Sequence, residues 1–234
     1  CAHLPRPPGI ARSGERSSAR YKRAGYPRLV DHTTTLQEAL AHHRANRLVS
    51  ARTGYISVLA SNPDNINALH LLGILENQAG QHDKAIYLIQ RAIDLQPNFA
   101  EAQNSLGNVH KDLKNWPEAE AAYNRAIEIN PKFAGAYVNL SLAARKQGNV
   151  LAALEACNKA IAIDPLLTSA RFNKANALSE MKRHEEAVFM YRAILKQDTL
   201  FGDARHNLGI TLQDLGNKHL EAKRWSIAIN MYEE

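Results

Sequence analysis

Apolar residues recur along most of this chain at steps of three and four, with polar residues between them. Ala119, Ala122, Tyr123, Ala126 and Ile127 fall on one stripe of a 3.6-residue helix. Just before them, Leu106, Val109, His110 and Leu113 share one side of another. A polar break parts the two, as in Lys114-Asn115-Trp116-Pro117 and again in Gly80-Gln81-His82-Asp83. Pro117 suits the first turn of the second helix, where a missing N–H costs little. The Asn-Pro or Asp-Pro that follows stops that helix, because the residue before proline is pushed out of the α region. The predicted element is a pair of short helices joined by a turn.

That element repeats. Ala100–Phe133, shifted by 34 residues in either direction, lands on the same pattern. Positions 7 and 8 of each unit are Leu72-Gly73, Leu106-Gly107, Leu140-Ser141, Lys174-Ala175 and Leu208-Gly209. Position 20 is Ala51, Ala85, Ala119, Ala153 and Ala187, and position 24 is Tyr55, Ile89, Tyr123, Cys157 and Tyr191. Pro63, Pro97, Pro131 and Pro165 close the units at position 32. Short side chains let two helices approach, so Gly73, Gly107, Gly209 and the alanines are expected at the contact. A lone helix of about 14 residues is marginal in water, and a lone pair buries too little, so the units must stack.

The predicted fold is an all-α solenoid of about six units: 32–65, 66–99, 100–133, 134–167, 168–201 and 202–234. The first is degenerate, with Ala39 in place of Gly. The fifth is expected to lose a residue in its second helix, where Tyr191-Arg192-Ala193 replaces Tyr123-Asn124-Arg125-Ala126. The sixth is expected to slip near Asn217–Ala222 and recover by Ala228. It ends without a polar capping helix, which implies further chain or self-association through the end face.

The spacing of Leu-Gly, Ala, aromatic, Ala and Pro resembles the tetratricopeptide repeat, over roughly residues 32–234. The resemblance implies a right-handed superhelix with first helices lining a concave side. Positions 2, 5, 6, 9, 12 and 13 then face the groove. Position 6 carries Asn139, Asn173 and Asn207 in successive units, after Ser105 in the unit before. Position 9 adds Asn108 and Asn176 one turn further along, with Phe172, Leu142 and Ile210 beside the row. A carboxamide both donates and accepts, so such a row can pair with the backbone of an extended peptide. It is similar to the asparagine ladder of protein O-GlcNAc transferases, with Ser105, Leu71 and Gln37 departing from it. Other arrays of this family grip a C-terminal carboxylate with Lys and Arg. Here Asn104, Ser169 and Asn173 stand at those cationic positions, so that activity is not expected.

Net charge is +6, but residues 1–31 hold seven Lys/Arg against Glu15 and Asp31, which leaves about +1 for the array. That leader, rich in Pro, Gly, Ser and Arg, reads as disordered. A role for it on nucleic acid or an acidic surface is an alternative function. No stretch of 18 apolar residues occurs. The two Cys, terminal Cys1 and apolar-position Cys157, make neither a disulfide framework nor a zinc spacing, so a reducing, cytoplasmic setting is expected. His42-His43 point to different faces, and His70 and His206 lie four units apart, so no metal site is expected. Glu185-Glu186 and Glu233-Glu234 are helix neighbours, not an acid/base pair. With no phosphate-binding Gly loop, Ser-His-Asp set or HExxH, neither cofactor nor catalysis is expected. The expected function is a non-catalytic scaffold for an extended peptide. The alternative implied by resemblance, on Ala68–Ile86, is the substrate-recruiting part of a larger glycosyltransferase or sulfotransferase.

Overall fold

The computed structural model describes residues 32–222, together with Arg224, Ile227 and Ile229. The side chains of residues 32–35 are not part of that description. The basic leader and most of the residues after Ala222 lie outside it, so the readings placed on the leader and on the end face do too.

Five helix pairs and one longer helix follow in order: α1 (His32–Arg44), α2 (Leu48–Ser61), α3 (Ile66–Gln78), α4 (His82–Leu95), α5 (Ala100–Asp112), α6 (Trp116–Ile129), α7 (Ala134–Lys146), α8 (Val150–Ile163), α9 (Thr168–Glu180), α10 (His184–Gln197) and α11 (Gly202–Glu221). No strand occurs among the described residues. Each first helix packs on its own second helix, each second helix on the next first helix. First helices also touch one another along the array: α3 with α5, α5 with α7, α7 with α9 and α9 with α11. They therefore form the crowded inner wall, and the second helices form the outer one.

The turn within each pair is one device used five times. Position 15 adopts a positive φ at Asn46 (55°), Gly80 (73°), Lys114 (62°), Gly148 (80°) and Lys182 (60°). The N–H of position 16 then reaches back five residues, as in Gln81 to Glu76 (2.8 Å) and Arg183 to Leu178 (2.9 Å). This is the Schellman closure of a helix C-terminus. The first four second helices stop at Asn62, Gln96, Asn130 and Asp164, each the residue before a proline, and α10 stops at Asp198, before Thr199.

The close approaches fall at the small residues. A Cβ on Gly73 would stand 2.5 Å from Ile89 Cγ1, and one on Gly107 would stand 2.5 Å from Tyr123 Cε1. In the first unit the glycine has crossed the contact: Gly54 on α2 faces Ala39 on α1, 2.6 Å from where its Cβ would be. Gly209, expected at such a contact, has no described atom within 4 Å of that point. Tyr55, Tyr123 and Tyr191 are fully buried between the helices of their pairs.

Two expectations are corrected. The fifth unit loses no residue: α10 has 14 residues like α6, and Ile194 takes the buried place of Ala126, leaving Ala193 exposed. The apparent deletion was an alanine one place too early, with a larger apolar side chain doing its work. The slip expected of the sixth unit near Asn217–Ala222 is not a loop: α11 runs through that stretch to Glu221. Gly216 is buried mid-helix, and α11 runs for 20 residues against 13 in α9. Seven residues are about two helical turns, so the inward face is kept. The five-residue closure then recurs from Arg224 N to His219 O at 2.8 Å. In sequence, Ala228 and Tyr232 follow Arg224 as Ala187 and Tyr191 follow Arg183.

Candidate binding groove

The inner wall carries every residue singled out for binding, and most are engaged across repeats. Asn139 Nδ2 donates to Asn104 Oδ1 (2.9 Å). Asn173 Nδ2 donates to the Val138 carbonyl (3.2 Å) and to Ser141 Oγ (3.0 Å). Asn207 Nδ2 donates to Asn176 Oδ1 (2.7 Å). All three carboxamides thus turn their NH2 toward the preceding repeat. Their Oδ1 atoms receive no hydrogen bond among the described residues, which leaves half-buried acceptors at position 6 of three consecutive units.

The position 9 asparagines do something the sequence reading missed. Tyr123 Oη donates to Asn108 Oδ1 (3.0 Å), and Tyr191 Oη donates to Asn176 Oδ1 (2.6 Å). The phenol crosses from the second helix, buried along its length, and surfaces at the groove. Burial pushes the Tyr191 phenol up to about 12 and raises that of Tyr123 as well, so both stay protonated donors. Where position 24 is apolar, at Ile89 and Cys157, position 9 is apolar too, at Ile74 and Leu142. That pairing is visible in the chain and was the available signal. In the first unit Tyr55 Oη bonds His43 Nδ1 (3.1 Å) instead.

Ser105 is buried and bonded to His70 Nε2 (2.8 Å). Burial holds His70 below the usual histidine range, against the opposing pull of Glu101. Ser105 is therefore less available to a ligand than the three asparagines that follow it. Phe172 packs edge-on against Phe201 at 5.2 Å, as His70 packs on Phe99 at 4.8 Å.

Two clefts open on this wall. The larger, about 430 Å³, lies between α9 and α11, where Phe172, Asn176, Tyr191, Asn207 and Ile210 meet Arg145 and Asp203. Ile210 is 47% exposed there. The other, about 230 Å³, lies between α3 and α5 and holds Ile74, Ser105, Asn108 and Lys111. Asn176, Asn207 and Ile210 are each 102 residues after Ile74, Ser105 and Asn108, so the same place in the repeat opens twice.

A second ladder runs along the C-terminal turns of the first helices. Position 12 of one unit bridges to position 13 of the next: His43 Nε2 with Gln78 Oε1 (3.1 Å), Asn77 Nδ2 to Asp112 Oδ2 (2.7 Å), and Arg145 Nη1 to Glu180 Oε1 (2.6 Å). No described helix is long and apolar enough to cross a membrane.

Comparison with known proteins agrees with this geometry. Tetratricopeptide-repeat models match residues 100–133, 122–155 and 168–199, and a TPR-repeat model matches 75–114. A solved structure of the MamA protein is 26% identical, with a TM-score of 0.60 over 72% of this chain and 92% of that one. TTC0263, a thermophilic TPR protein of Thermus thermophilus, is 19% identical, with a TM-score of 0.65 over 77% and 98%. YrrB, a TPR protein described as having an unusual peptide-binding site, is 20% identical, with a TM-score of 0.60 over 77% and 93%. An uncharacterized protein, ycf37 of Pyropia yezoensis, is 28% identical over 69 residues, 30% of this chain and 39% of its own length. Sequence period, helix pairs, turn closure and these matches agree: residues 75–155 and 168–199 match tetratricopeptide repeats, and the described residues fold as a tetratricopeptide-type solenoid.

Proposed function

We propose that this array, a protein–protein interaction scaffold of the tetratricopeptide kind, holds an extended peptide along its inner wall. The observation that carries the reading is the common orientation of Asn139, Asn173 and Asn207. Each spends its NH2 on the repeat before and keeps its oxygen free of the described residues. A row of acceptors at a regular rise suits successive backbone N–H groups of a stretched chain. Because each NH2 is already anchored to the preceding repeat, the asparagines are held in place before a ligand arrives, which lowers the ordering cost of binding. The half-buried ring of Phe172 and the exposed Ile210 in the larger cleft supply an anchor for one side chain. YrrB, with the same fold, is described as having a peptide-binding site.

The test is an array of amidated 12-residue peptides probed with the purified chain. A peptide selected there is titrated calorimetrically against the N139A/N173A/N207A variant, with helicity checked by circular dichroism. At about 0.5–1.5 kcal/mol for each bond, the variant should lose roughly 1–4 kcal/mol of binding. Equal affinity with the helices intact would overturn the reading.

A further inference from the structure

The ladder on the C-terminal turns of the first helices has one rung that cannot form. At the step from the third unit to the fourth, position 12 is Lys111 and position 13 is Lys146. The steps on either side place a donor against an acceptor at 2.7 Å (Asn77 to Asp112) and 2.6 Å (Arg145 to Glu180). Here two ammonium groups take the same two places. Lys111 leans on its sequence neighbour Asp112 at only 3.6 Å, and Asp112 is already the acceptor for Asn77. Lys146 is exposed and makes no hydrogen bond or ion pair among the described residues.

Like charges facing each other across a contact destabilise it. A local rule broken without internal compensation is where a ligand is to be sought. Lys111 also lines the cleft between α3 and α5, and Arg145, next to Lys146, lines the cleft between α9 and α11. The broken rung therefore lies on the way from one cleft to the other, between the same two helices as the Asn104–Asn139 bond and about two turns further along them.

We infer that an acidic side chain within the bound peptide, Asp or Glu, seats between Lys111 and Lys146 and completes the missing rung. The inference rests on the groove reading above. A carboxylate has two oxygens and accepts from both ammoniums at once, in charge-assisted bonds stronger than neutral ones. The specificity that follows is one acidic residue at a fixed distance in sequence from the residue anchored at Phe172 and Ile210. The rest of the peptide is read mainly through its backbone.

The same array of amidated 12-residue peptides tests it, because amidation removes the terminal carboxylate. Selected peptides should be enriched in Asp or Glu at one position, and replacing that residue by Gln or Asn should weaken binding roughly tenfold. Two variants keep the fold and remove the seat. K111Q/K146Q should lose the acidic preference and keep the apolar one. Lys146→Glu gives Lys111 an internal partner, so it should lose the acidic preference and melt at a higher temperature. Peptides that bind through Asn139, Asn173 and Asn207 with no acidic preference overturn this inference and leave the groove reading standing. Binding that ignores those asparagines overturns the groove reading itself. Recovery of binding only with free C-terminal carboxylates would replace the side-chain seat by an end-group seat and refute the inference as stated.

Discussion

The phenol of Tyr191 donates to the Asn176 carbonyl at 2.6 Å, from a ring buried between α9 and α10 to a carboxamide on the groove. Asn207 donates to the same oxygen at 2.7 Å. One buried carbonyl, 7% exposed as a residue, thus ties a second helix, its own first helix and the next repeat together. Asn176→Leu should strand the tyrosine hydroxyl and cost about 1–3 kcal/mol. Adding Tyr191→Phe should return part of that loss, since the pair then resembles Leu142 and Cys157 in the fourth unit. Urea unfolding of the two singles and the double measures the coupling. Strict additivity would show that the bond is not what holds Asn176 there.

Gly107 and Gly73 differ in what they press against. A Cβ on Gly107 would meet three ring atoms of Tyr123 at 2.5, 2.6 and 3.0 Å. That ring is buried and has no room to turn, so Gly107→Ala should cost about 1–3 kcal/mol. On Gly73 the nearest atom is Ile89 Cγ1 at 2.5 Å, a single methylene in place of a ring face, with the Ala85 carbonyl oxygen at 3.3 Å. Gly73→Ala should cost less, and thermal melting of both variants orders them.

Lys114 and Lys182 hold φ values of 62° and 60°, the left-handed region that glycine fills at Gly80 and Gly148. Lys114→Gly and Lys182→Gly should each raise stability by about 0.5–1 kcal/mol, because a Cβ in that region is strained. A fall in melting temperature for both would contradict the Schellman account of the turns.

Glu76 is almost fully buried, with a side chain 4% exposed, and Arg52 grips it through two bonds of 2.7 and 3.1 Å. Arg52→Met should cost about 1–3 kcal/mol by leaving a buried carboxylate short of donors. Arg91 and Asp64 meet at 2.6 Å in solvent, and Arg91→Met should give no measurable change in denaturation midpoint.

Burial holds the imidazoles of His70 and His184 below the usual histidine range. Glu101 opposes this at His70. At His184, Asp214 and Glu185 oppose it while Lys182 and Lys218 add to it. The unfolded chain protonates both near pH 6.5, about the free value, while the folded chain resists. The unfolded state therefore binds more protons just below that pH, and stability falls as pH falls through it. Above about pH 6.5 the contribution is complete. An H70N/H184N double variant should flatten the melting-temperature curve between about pH 6.5 and 5. The lowered carboxyls of Glu185 and Glu186 act at more acid pH, since their contribution disappears only as they take up protons.

The helix pairs were legible in the sequence because period and small residues both report packing that repeats. The starts of α3, α5, α7, α9 and α11 fall where the 34-residue shift puts them. What escaped was local substitution. Ile194 does the work of an alanine from the same buried place, and the shift in letters looked like a deletion. The slip near Asn217–Ala222 is a longer α11, and Gly216 inside that helix costs only about 1 kcal/mol, which packing overrides. At the groove, the sequence placed the asparagines on the inner wall but was silent on their direction. Hydrogen-bond sense depends on the neighbouring repeat, and Ser105, chosen by position, turned out to be committed to His70. The Tyr123–Asn108 and Tyr191–Asn176 bonds were written in the paired identities of positions 9 and 24 in units two to five, where polar meets polar and apolar meets apolar.

The most direct measurement is photo-crosslinking of a peptide selected on the array. A benzoylphenylalanine is placed at Ile210, on the groove, and in a second protein at Phe189, 74% exposed on the second helix α10. Capture of the peptide from position 210 and not from position 189 is the predicted result. Capture from position 189 alone would put the ligand on the outer wall and contradict the account.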